Sequence, residues 1–324
     1  MLDRLKVSLK RWRENYYLSA LLANSAKPVH HLSRHLALEL QRKIRKNGVT
    51  IQLPNRRTMT IARDTGIGMA SLLFWHGIEG HEPDTSRTLR FFFERAANFI
   101  DVGANCGLYS MLGPLWNPNL QVVAFEPVPA IFQGLQRNVR LNHLESSVRC
   151  ENVALSSQSG RATLFLPTPQ ALDLESTGTL VPDSWQARKG SPELDVETVR
   201  FDDYERRQPM HVDLVKIDVE DFEARVLEGM HATIMRDRPF IVCEVLPRSH
   251  RNQRTREIVE ALNYQPYWIT PMGHIRVPHF DFSRGNLTDF LLSPVSTSDP
   301  VIADLNTLWE SRQRMNVTSV DKAG

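Results

Sequence analysis

Two glycines four residues apart, placed just after an acidic residue, form the chemically most informative stretch of the chain. Residues 98–110 read N-F-I-D-V-G-A-N-C-G-L-Y-S, an apolar run ending at Asp101, followed by Gly103, Gly107 and helix-forming residues. Glycine lets the backbone take positive φ and approach a ligand closely. A helix beginning here would direct its free N–H groups toward that ligand. The stretch predicts a strand, a tight turn and a helix that bind a nucleotide-like molecule.

The spacing of this loop argues against two common phosphate ligands. A dinucleotide-binding loop has the pattern G-x-G-x-x-G, and Asn105 stands where its second glycine would be. A triphosphate-binding loop continues with lysine and a hydroxyl residue, whereas Leu108 follows Gly107. An acid before the turn would repel a pyrophosphate, so the loop suits a ligand that carries an amino group.

Acidic or polar residues also end the other predicted strands. In an open parallel sheet the carboxyl ends of the strands meet at one edge, where ligands bind. A single acid after a strand is as readily a helix cap, but five such residues on one edge predict a binding site. They are Asp101, Glu126, Asn152, Asp218 and Glu244.

Glu126 has the spacing of a ribose-binding acid, because it follows Gly103 by 23 residues. A carboxylate can accept hydrogen bonds from two ribose hydroxyls at once. Asp101 could receive an ammonium group. The loop, the ribose acid and the subsite for an amino acid together predict S-adenosylmethionine as the cofactor.

Five stretches carry a family resemblance. They read F-I-D-V-G-A-N-C-G-L-Y-S, V-V-A-F-E-P-V-P, N-V-A-L-S, D-L-V-K-I-D-V-E-D-F-E-A-R-V-L-E-G and P-F-I-V-C-E-V. In this order, over residues 80–270, they resemble the FkbM-type family of class I S-adenosylmethionine-dependent methyltransferases. The resemblance implies an α/β, Rossmann-like fold with a mostly parallel seven-stranded sheet and helices on both faces. It also implies methylation of a hydroxyl on a sugar, glycan or natural product.

The resemblance also implies roles for individual residues. The methionine part of the cofactor would lie against Asp101, Gly103, Asn105 and Gly107. Glu126 would bind the ribose, and Asn152 with Ala154 would border the adenine. The methyl-transfer mouth would be formed by Lys216, Asp218 and Glu220.

Asp218 is the first candidate for the base that takes the proton of the acceptor hydroxyl. The neighbouring acids Glu220 and Glu244 could raise its pKa, and Lys216, on the same face of the strand, could counter them. A carboxylate that caps a helix or braces a loop is an equally common use of such a residue. His231 and His274 are the further candidates for the base. No metal is expected to take part, because the sequence suggests no ligands beyond Asp218 and Glu244.

Asp221 departs from the family pattern, which usually has glycine after K-I-D-V-E. If that glycine adopts positive φ, aspartate can replace it at modest cost. If the glycine makes room for substrate, Asp221 would narrow the site and add charge. The sequence leaves both readings open.

Two other functions are alternatives to methyl transfer. The first is a protein that binds S-adenosylmethionine without transferring its methyl group, for which the departure at Asp221 is the support. The second is an NAD-dependent oxidoreductase, which the missing G-x-G-x-x-G makes the weaker alternative.

The composition is that of an ordinary globular protein, with 324 residues, 41% hydrophobic and 23% charged. The net charge is +2, but residues 1–60 contain 13 Lys+Arg against 3 Asp+Glu. This basic segment could contact phosphates or lipid headgroups, although a solvated face of packed helices is the commoner case. The expected partner is a small-molecule or glycan acceptor rather than a nucleic acid.

Cysteine count and hydropathy predict a cytoplasmic location. Three cysteines are too few and too scattered for a disulfide framework or a zinc site. The first residues lack the apolar region of a signal peptide, and no apolar run approaches the roughly 20 residues of a membrane span.

The predicted domain organisation has three parts. Residues 1–80 form basic helices and a β-hairpin, residues 81–295 the methyltransferase domain, and residues 296–324 a helix with a polar tail.

Strands are predicted at 50–53, 58–61, 98–102, 122–126, 148–155, 161–166, 212–218 and 239–245, with an antiparallel edge at 267–270, 275–277 and 289–292. Helices are predicted near 2–22, 32–44, 70–75, 129–141, 222–230 and 301–314. A further helix, with 84–86 as its cap candidate, is predicted to run through 91–95. Residues 167–191 are predicted to be loop.

Overall fold

The computed structural model describes seven parts of the chain: residues 48–62, 67–166, 179–180, 192–246, 252–278, 288–295 and 300–309. The predicted helices near 2–22 and 32–44 and most of the predicted loop 167–191 lie outside these residues. Among the described residues, no helix is both long and apolar enough to cross a membrane.

A central sheet of eight strands organises the molecule. Five parallel strands form its middle and one side: β3 (Asn98–Val102), β4 (Gln121–Phe125), β5 (Val148–Glu151), β9 (Leu214–Ile217) and β10 (Phe240–Glu244). The other side is antiparallel: β11 (Tyr264–Thr270), β12 (Gly273–Arg276) and β13 (Asp289–Pro294). The order across the sheet is β12-β11-β13-β10-β9-β3-β4-β5. This confirms the predicted α/β class and the antiparallel edge. β12 is one strand more than the seven that the resemblance implies.

Two further small sheets flank the central one. The predicted hairpin is present as β1 (Val49–Gln52) and β2 (Thr58–Ile61). The second small sheet has three strands, β6 (Ala154–Leu155), β7 (Gly160–Phe165) and β8 (Glu193–Val199), in the order β6-β8-β7. β7 was predicted, whereas β8 was not.

Helices cover both faces of the central sheet. They are α1 (Ile67–His76), α2 (Pro83–Phe93), α3 (Leu108–Trp116), α4 (Pro129–Leu141), α5 (Phe201–Arg207), α6 (Glu223–Gly229), α7 (His231–Asp237), α8 (Asn252–Ala261) and α9 (residues 300–309). Alternate residues of each strand face opposite sides of a sheet. Accordingly Phe99 packs in one core with α1 to α4 and α9, and Ile100 packs in the other with α5 to α8.

Two predicted details were wrong. The strand predicted at 148–155 divides at Glu151, because Asn152 turns its side chain to the carbonyl oxygens of Glu126 and Pro127 and the chain leaves the central sheet. Residues 84–86 do not cap α2. The helix begins at Pro83, whose fixed φ suits the first helical position, and Glu82 precedes it in the left-handed conformation.

Asn138 in α4 connects the hairpin segment to the glycine loop. Its Oδ1 accepts the backbone N–H of Ala62 at 2.7 Å, and its Nδ2 donates to the carbonyl oxygen of Cys106 at 2.8 Å. The side chain is fully buried.

Replacing Asn138 with alanine should therefore lower the free energy of unfolding by about 2–4 kcal/mol, because two buried backbone groups lose their partner. Urea unfolding measures the change, and the exposed Asn119→Ala is the matched control that should behave as wild type. An equally small change in both variants would contradict the role of Asn138.

Candidate active site

A cleft of about 260 Å³ opens at the carboxyl ends of the central strands. From β3 the chain proceeds outward through β4 to β5, and from β9 it proceeds the other way to β10. The reversal between β3 and β9 is the point where open α/β sheets bind ligands. The wall of the cleft contains Asp101, Gly103, Ala104, Asn105, Glu126, Ala154, Lys216, Asp218, Glu220 and Glu244.

The loop between β3 and α3 has the conformation that its glycines predict. Gly103 has φ of +79° and Gly107 has φ of +86°, with Asn105 also left-handed at +51°. The N–H groups of Gly103 and Ala104 both donate to the carbonyl oxygen of Phe125 at 3.0 Å. A Cβ at position 103 would collide with the backbone carbonyl of Asp218. The loop is therefore pressed against the end of β9, which brings the two main motifs together.

Glu126 fixes this loop from the end of β4. Its Oε2 accepts the N–H of Asn105 at 3.0 Å, and its Oε1 accepts the N–H of Val128 at 2.9 Å. Burial raises its pKa to about 7, although these two hydrogen bonds act in the opposite direction. Each oxygen keeps a second lone pair, so the carboxylate can still accept hydroxyl groups of a ligand.

Asn152 lies behind the cleft and Ala154 lines it. Asn152 donates to the carbonyl oxygens of Glu126 and Pro127 at 2.8 and 3.0 Å, so it braces the turn that carries the acid. Ala154 contributes to the wall, but Asn152 does not. Of the two predicted adenine-binding residues, the structure therefore brings one to the cleft and gives the other a supporting position.

Asp101 and Lys216 occupy neighbouring strands at the same level. They are paired residues of the β3–β9 ladder, and both are buried. Burial raises the pKa of Asp101 above its ordinary value, although the Lys216 ammonium and the hydroxyl of Ser110, which donates to Oδ2 at 2.5 Å, act in the opposite direction.

Lys216 makes its closest ion pair with Asp218. The distance from Nζ to Oδ2 is 2.8 Å. Burial would raise the pKa of Asp218, but Lys216 and a hydrogen bond from Glu244 outweigh it, and the net pKa is lowered. Burial and the nearby Asp218 charge raise the pKa of Glu244 to about 10. The rise in pKa that was expected for Asp218 is thus found at Glu244 instead.

The carboxylates of Glu82, Asp218 and Glu244 lie close enough to be considered as metal ligands. One oxygen from each lies within 4.8 Å of the others. The Lys216 ammonium already contacts the Asp218 carboxylate, so the protein itself supplies a cation here.

Sequence reasoning assigned no role to several residues of the cleft wall, among them the polar residues His81, Glu82 and Tyr109. The Tyr109 hydroxyl donates to Oε2 of Glu82 at 2.9 Å, and its ring lies 5.0 Å from the Lys216 ammonium. Tyr109 was inside the quoted glycine motif but had no assigned role. His81 and Glu82 follow no strand, so the search for acids at strand ends could not find them.

Comparison with known proteins identifies the domain. The Methyltransferase FkbM domain matches residues 101–266, just over half of the chain. This chain belongs to the FkbM methyltransferase family. The cofactor of the family is S-adenosylmethionine. The cleft fits it, because the backbone of the glycine loop lines the cleft and the carboxylate of Glu126 offers lone pairs to hydroxyls.

Relatives of this FkbM domain include fungal and bacterial proteins. Methyltransferase sdnD of Sordaria araneosa is 32% identical, over 40% of this chain and 59% of the relative. The 31-O-demethyl-FK506 methyltransferase FkbM of Streptomyces tacrolimicus is 28% identical, over 40% of this chain and 58% of the relative. The chain thus spans under three fifths of the length of these curated relatives.

Among solved structures, Methyltransferase FkbM from Methylobacillus flagellatus KT is similar with a TM-score of 0.40 and 16% identity. The similarity covers 61% of this chain and 43% of that one. This loose likeness adds nothing to the family assignment.

Asp221 fits the first of its two readings in this FkbM domain. Its φ is +72°, its side chain is buried, and it is absent from the described cleft wall. Its N–H donates to Oε1 of Glu223 at 3.1 Å. The neighbouring Glu220 also has positive φ, at +51°, and it does line the cleft. The family glycine is thus replaced at a left-handed position, and the cleft is not narrowed.

The two histidines predicted as further base candidates lie away from the cleft. His274 is buried between Thr88, 2.8 Å from its Nε2, and Trp309, and burial lowers its pKa to about 4. His231 is exposed at the start of α7. Neither belongs to the described cleft wall, so the structure places neither of these candidate bases at the cleft.

Proposed function

We propose that this domain transfers the methyl group of S-adenosylmethionine to a hydroxyl group of a small molecule, either a sugar or a natural product. One observation carries the proposal: a single cleft collects the glycine loop, Glu126 and the Lys216–Asp218 pair at the reversal point of the sheet. Each of the three corresponds to a different part of the cofactor.

The cofactor is proposed to lie along the strand ends. Its methionine part lies against Asp101 and the loop of Gly103, Asn105 and Gly107, and its ribose hydroxyls donate to Glu126. Its adenine lies beside Ala154, while Asn152 braces the turn from behind. The order follows the strands, because β3, β4 and β5 are neighbours in the sheet.

Methyl transfer to a hydroxyl is an in-line displacement, so positioning provides much of the rate. Lys216, Asp218 and Glu220 are proposed to form the methyl-transfer end. The Lys216–Asp218 ion pair gives this end a fixed arrangement of charge. Glu220 is held there in part by its carbonyl oxygen, which accepts the hydroxyl of Thr179 at 2.6 Å.

The acceptor class rests on the relatives. The name of the Streptomyces tacrolimicus relative describes O-methylation of 31-O-demethyl-FK506. We carry over only the class of reaction, transfer to a hydroxyl of a natural product. Leu164 and Leu180 add apolar surface to the wall, which suits an acceptor with a carbon skeleton.

Calorimetry and turnover test the proposal together. The purified chain should bind S-adenosylhomocysteine at one site. It should also convert S-adenosylmethionine to S-adenosylhomocysteine with at least one member of a panel of methyl glycosides and hydroxylated macrolactones. NADH should not compete. Tight binding without turnover across the panel would favour a binding protein, and failure to bind would overturn the proposal.

Glu126→Ala should weaken binding of S-adenosylhomocysteine by roughly 10- to 100-fold. Hydrogen bonds to a charged group contribute about 1.5–3 kcal/mol, and 1.4 kcal/mol corresponds to a factor of ten in affinity. Calorimetry measures the affinity, with the exposed Glu145→Ala as the matched control. Unchanged affinity in Glu126→Ala, with the fold intact by circular dichroism, would remove the ribose role.

A further inference from the structure

His81 and Glu82 form a pair at the mouth of the cleft. They lie between the 3-10 turn Gly77–Gly80 and α2, and both side chains line the cleft. Nε2 of His81 lies 3.3 Å from Oε1 of Glu82. The side chains are 30% and 24% exposed, so an acceptor entering from solvent can reach them.

Glu82 is held in one orientation. The hydroxyl of Tyr109 donates to its Oε2 at 2.9 Å, and its backbone carbonyl accepts the N–H of Ser86 at 2.8 Å. The free oxygen, Oε1, faces His81. When Nε2–H donates to this oxygen, the other ring nitrogen, Nδ1, keeps its lone pair and can accept a proton.

The carboxylates at the strand ends are less suited to this task. Asp218 is held by Lys216 at 2.8 Å, which favours its ionised form and makes it a weak base. Glu244 has its pKa raised to about 10, so at neutral pH it holds a proton that it would first have to release. The imidazole of His81 has a carboxylate partner and no direct cation partner among the contacts of the described residues.

We propose that His81 is the general base of the methyl transfer, with Glu82 as its carboxylate partner and Tyr109 as a positioning residue. The inference rests on the proposed function. The acceptor oxygen forms a bond to the methyl carbon while its proton passes to Nδ1 of His81. The carbon–sulfur bond breaks and its electron pair remains on sulfur, which leaves a neutral thioether. The carboxylate of Glu82 stabilises the imidazolium.

The ionisable groups around this pair come from several elements. Tyr109 faces it from α3, and further charges lie in or beside the cleft, on strands or directly after them: Asp101, Lys216, Asp218, Glu244 and Asp289. Any pH profile of the reaction reports these groups as well, so the variant of His81 is compared with a variant of one of them, Asp218.

The central variant is His81→Gln, assayed with an acceptor that wild type methylates. Turnover should fall about 10²–10⁴-fold, the usual contribution of a general base, while affinity for S-adenosylhomocysteine stays within about twofold. The rise of the wild-type rate with pH, which reports loss of a proton from the base, should disappear. His76→Gln, exposed at the end of α1 and outside the cleft, is the matched control and should keep rate and profile.

Asp218→Asn distinguishes the two candidate bases. It should lower turnover but keep the rise of the rate with pH. If Asp218→Asn removes this rise and His81→Gln retains it, the base is Asp218 and the proposal is overturned.

A second measurement needs no acceptor, and so it separates failure of this inference from failure of the proposed function. In the complex with S-adenosylhomocysteine, nitrogen-15 spectra of the histidine rings should assign the proton of neutral His81 to Nε2. A proton on Nδ1 would overturn the proposal, even if the enzyme methylates the panel. Conversely, absence of turnover across the panel counts against the proposed function. The spectrum still tests whether Nε2 of His81 carries the proton that it would donate to Glu82.

Discussion

Gly103→Ala is expected to abolish measurable binding of S-adenosylhomocysteine and to lower the free energy of unfolding by at least about 2 kcal/mol. Two costs combine at this residue. Its φ of +79° is unfavourable for any residue with a Cβ, and that Cβ would collide with the carbonyl oxygen of Asp218. The obstacle is backbone, so no side chain can rotate away. The loop must then withdraw from β9, and the cleft between them changes shape. Calorimetry and urea unfolding measure the two effects.

Gly77→Ala is the matched control for this experiment. Gly77 also has positive φ, at +65°, but a Cβ there would meet nothing within 4 Å. Its replacement therefore isolates the conformational cost, about 1–2 kcal/mol, and should leave binding unchanged. Equal behaviour of the two variants would mean that the close approach of Gly103 to Asp218 has no part in forming the cleft.

The glycine loop was predictable because its determinants are local. A short apolar run from Phe99 sets the strand, and Gly103 and Gly107 supply positive φ where the chain must turn. α4 was predicted with its observed bounds, Pro129–Leu141, since proline at its start and helical periodicity lie within one window of sequence. Such features need no knowledge of distant partners.

The end of β5 was not predictable for the opposite reason. Residues 148–155 have the composition of one strand, but Asn152 finds its partners at Glu126 and Pro127, about 25 residues earlier in the chain. Side-chain hydrogen bonds to backbone compete with strand pairing. Which carbonyl groups are within reach is a property of the folded chain, so the sequence alone gave no signal for the break.

The sequence predicted which charged residues meet at the site, but it did not predict how they shift one another's pKa values. Acids at the strand ends do converge, yet the Lys216 ammonium lies 2.8 Å from the Asp218 carboxylate, and it reverses the expected direction of the pKa of Asp218. Glu82 joins the group from before β3, held by Tyr109. The identity of the proton acceptor depends on this balance, which only the three-dimensional arrangement determines.

Lys216→Met is expected to lower the free energy of unfolding by about 3–5 kcal/mol at pH 8, because it removes one partner of a buried ion pair. Lys216 is buried, pairs with Asp218 and lies beside Asp101 in the ladder. Without its ammonium, burial raises the pKa values of both carboxyl groups in the folded protein above their unfolded values. The folded state then binds more protons than the unfolded state, so stability falls as the pH rises. Urea unfolding at pH 5 and pH 8 should therefore give the smaller loss at pH 5.

Arg161→Met provides the contrast, since Arg161 forms an exposed ion pair with Asp195 at 2.6 Å. Solvent screens such a pair, and its loss should change stability little at either pH. If Lys216→Met were equally destabilised at pH 5 and pH 8, the lost packing of the lysine stem would account for the change, and the carboxylates would not depend on its charge. A loss that grows with pH in Lys216→Met alone identifies Lys216 as the cation that favours the ionised forms of Asp101 and Asp218 in the folded protein.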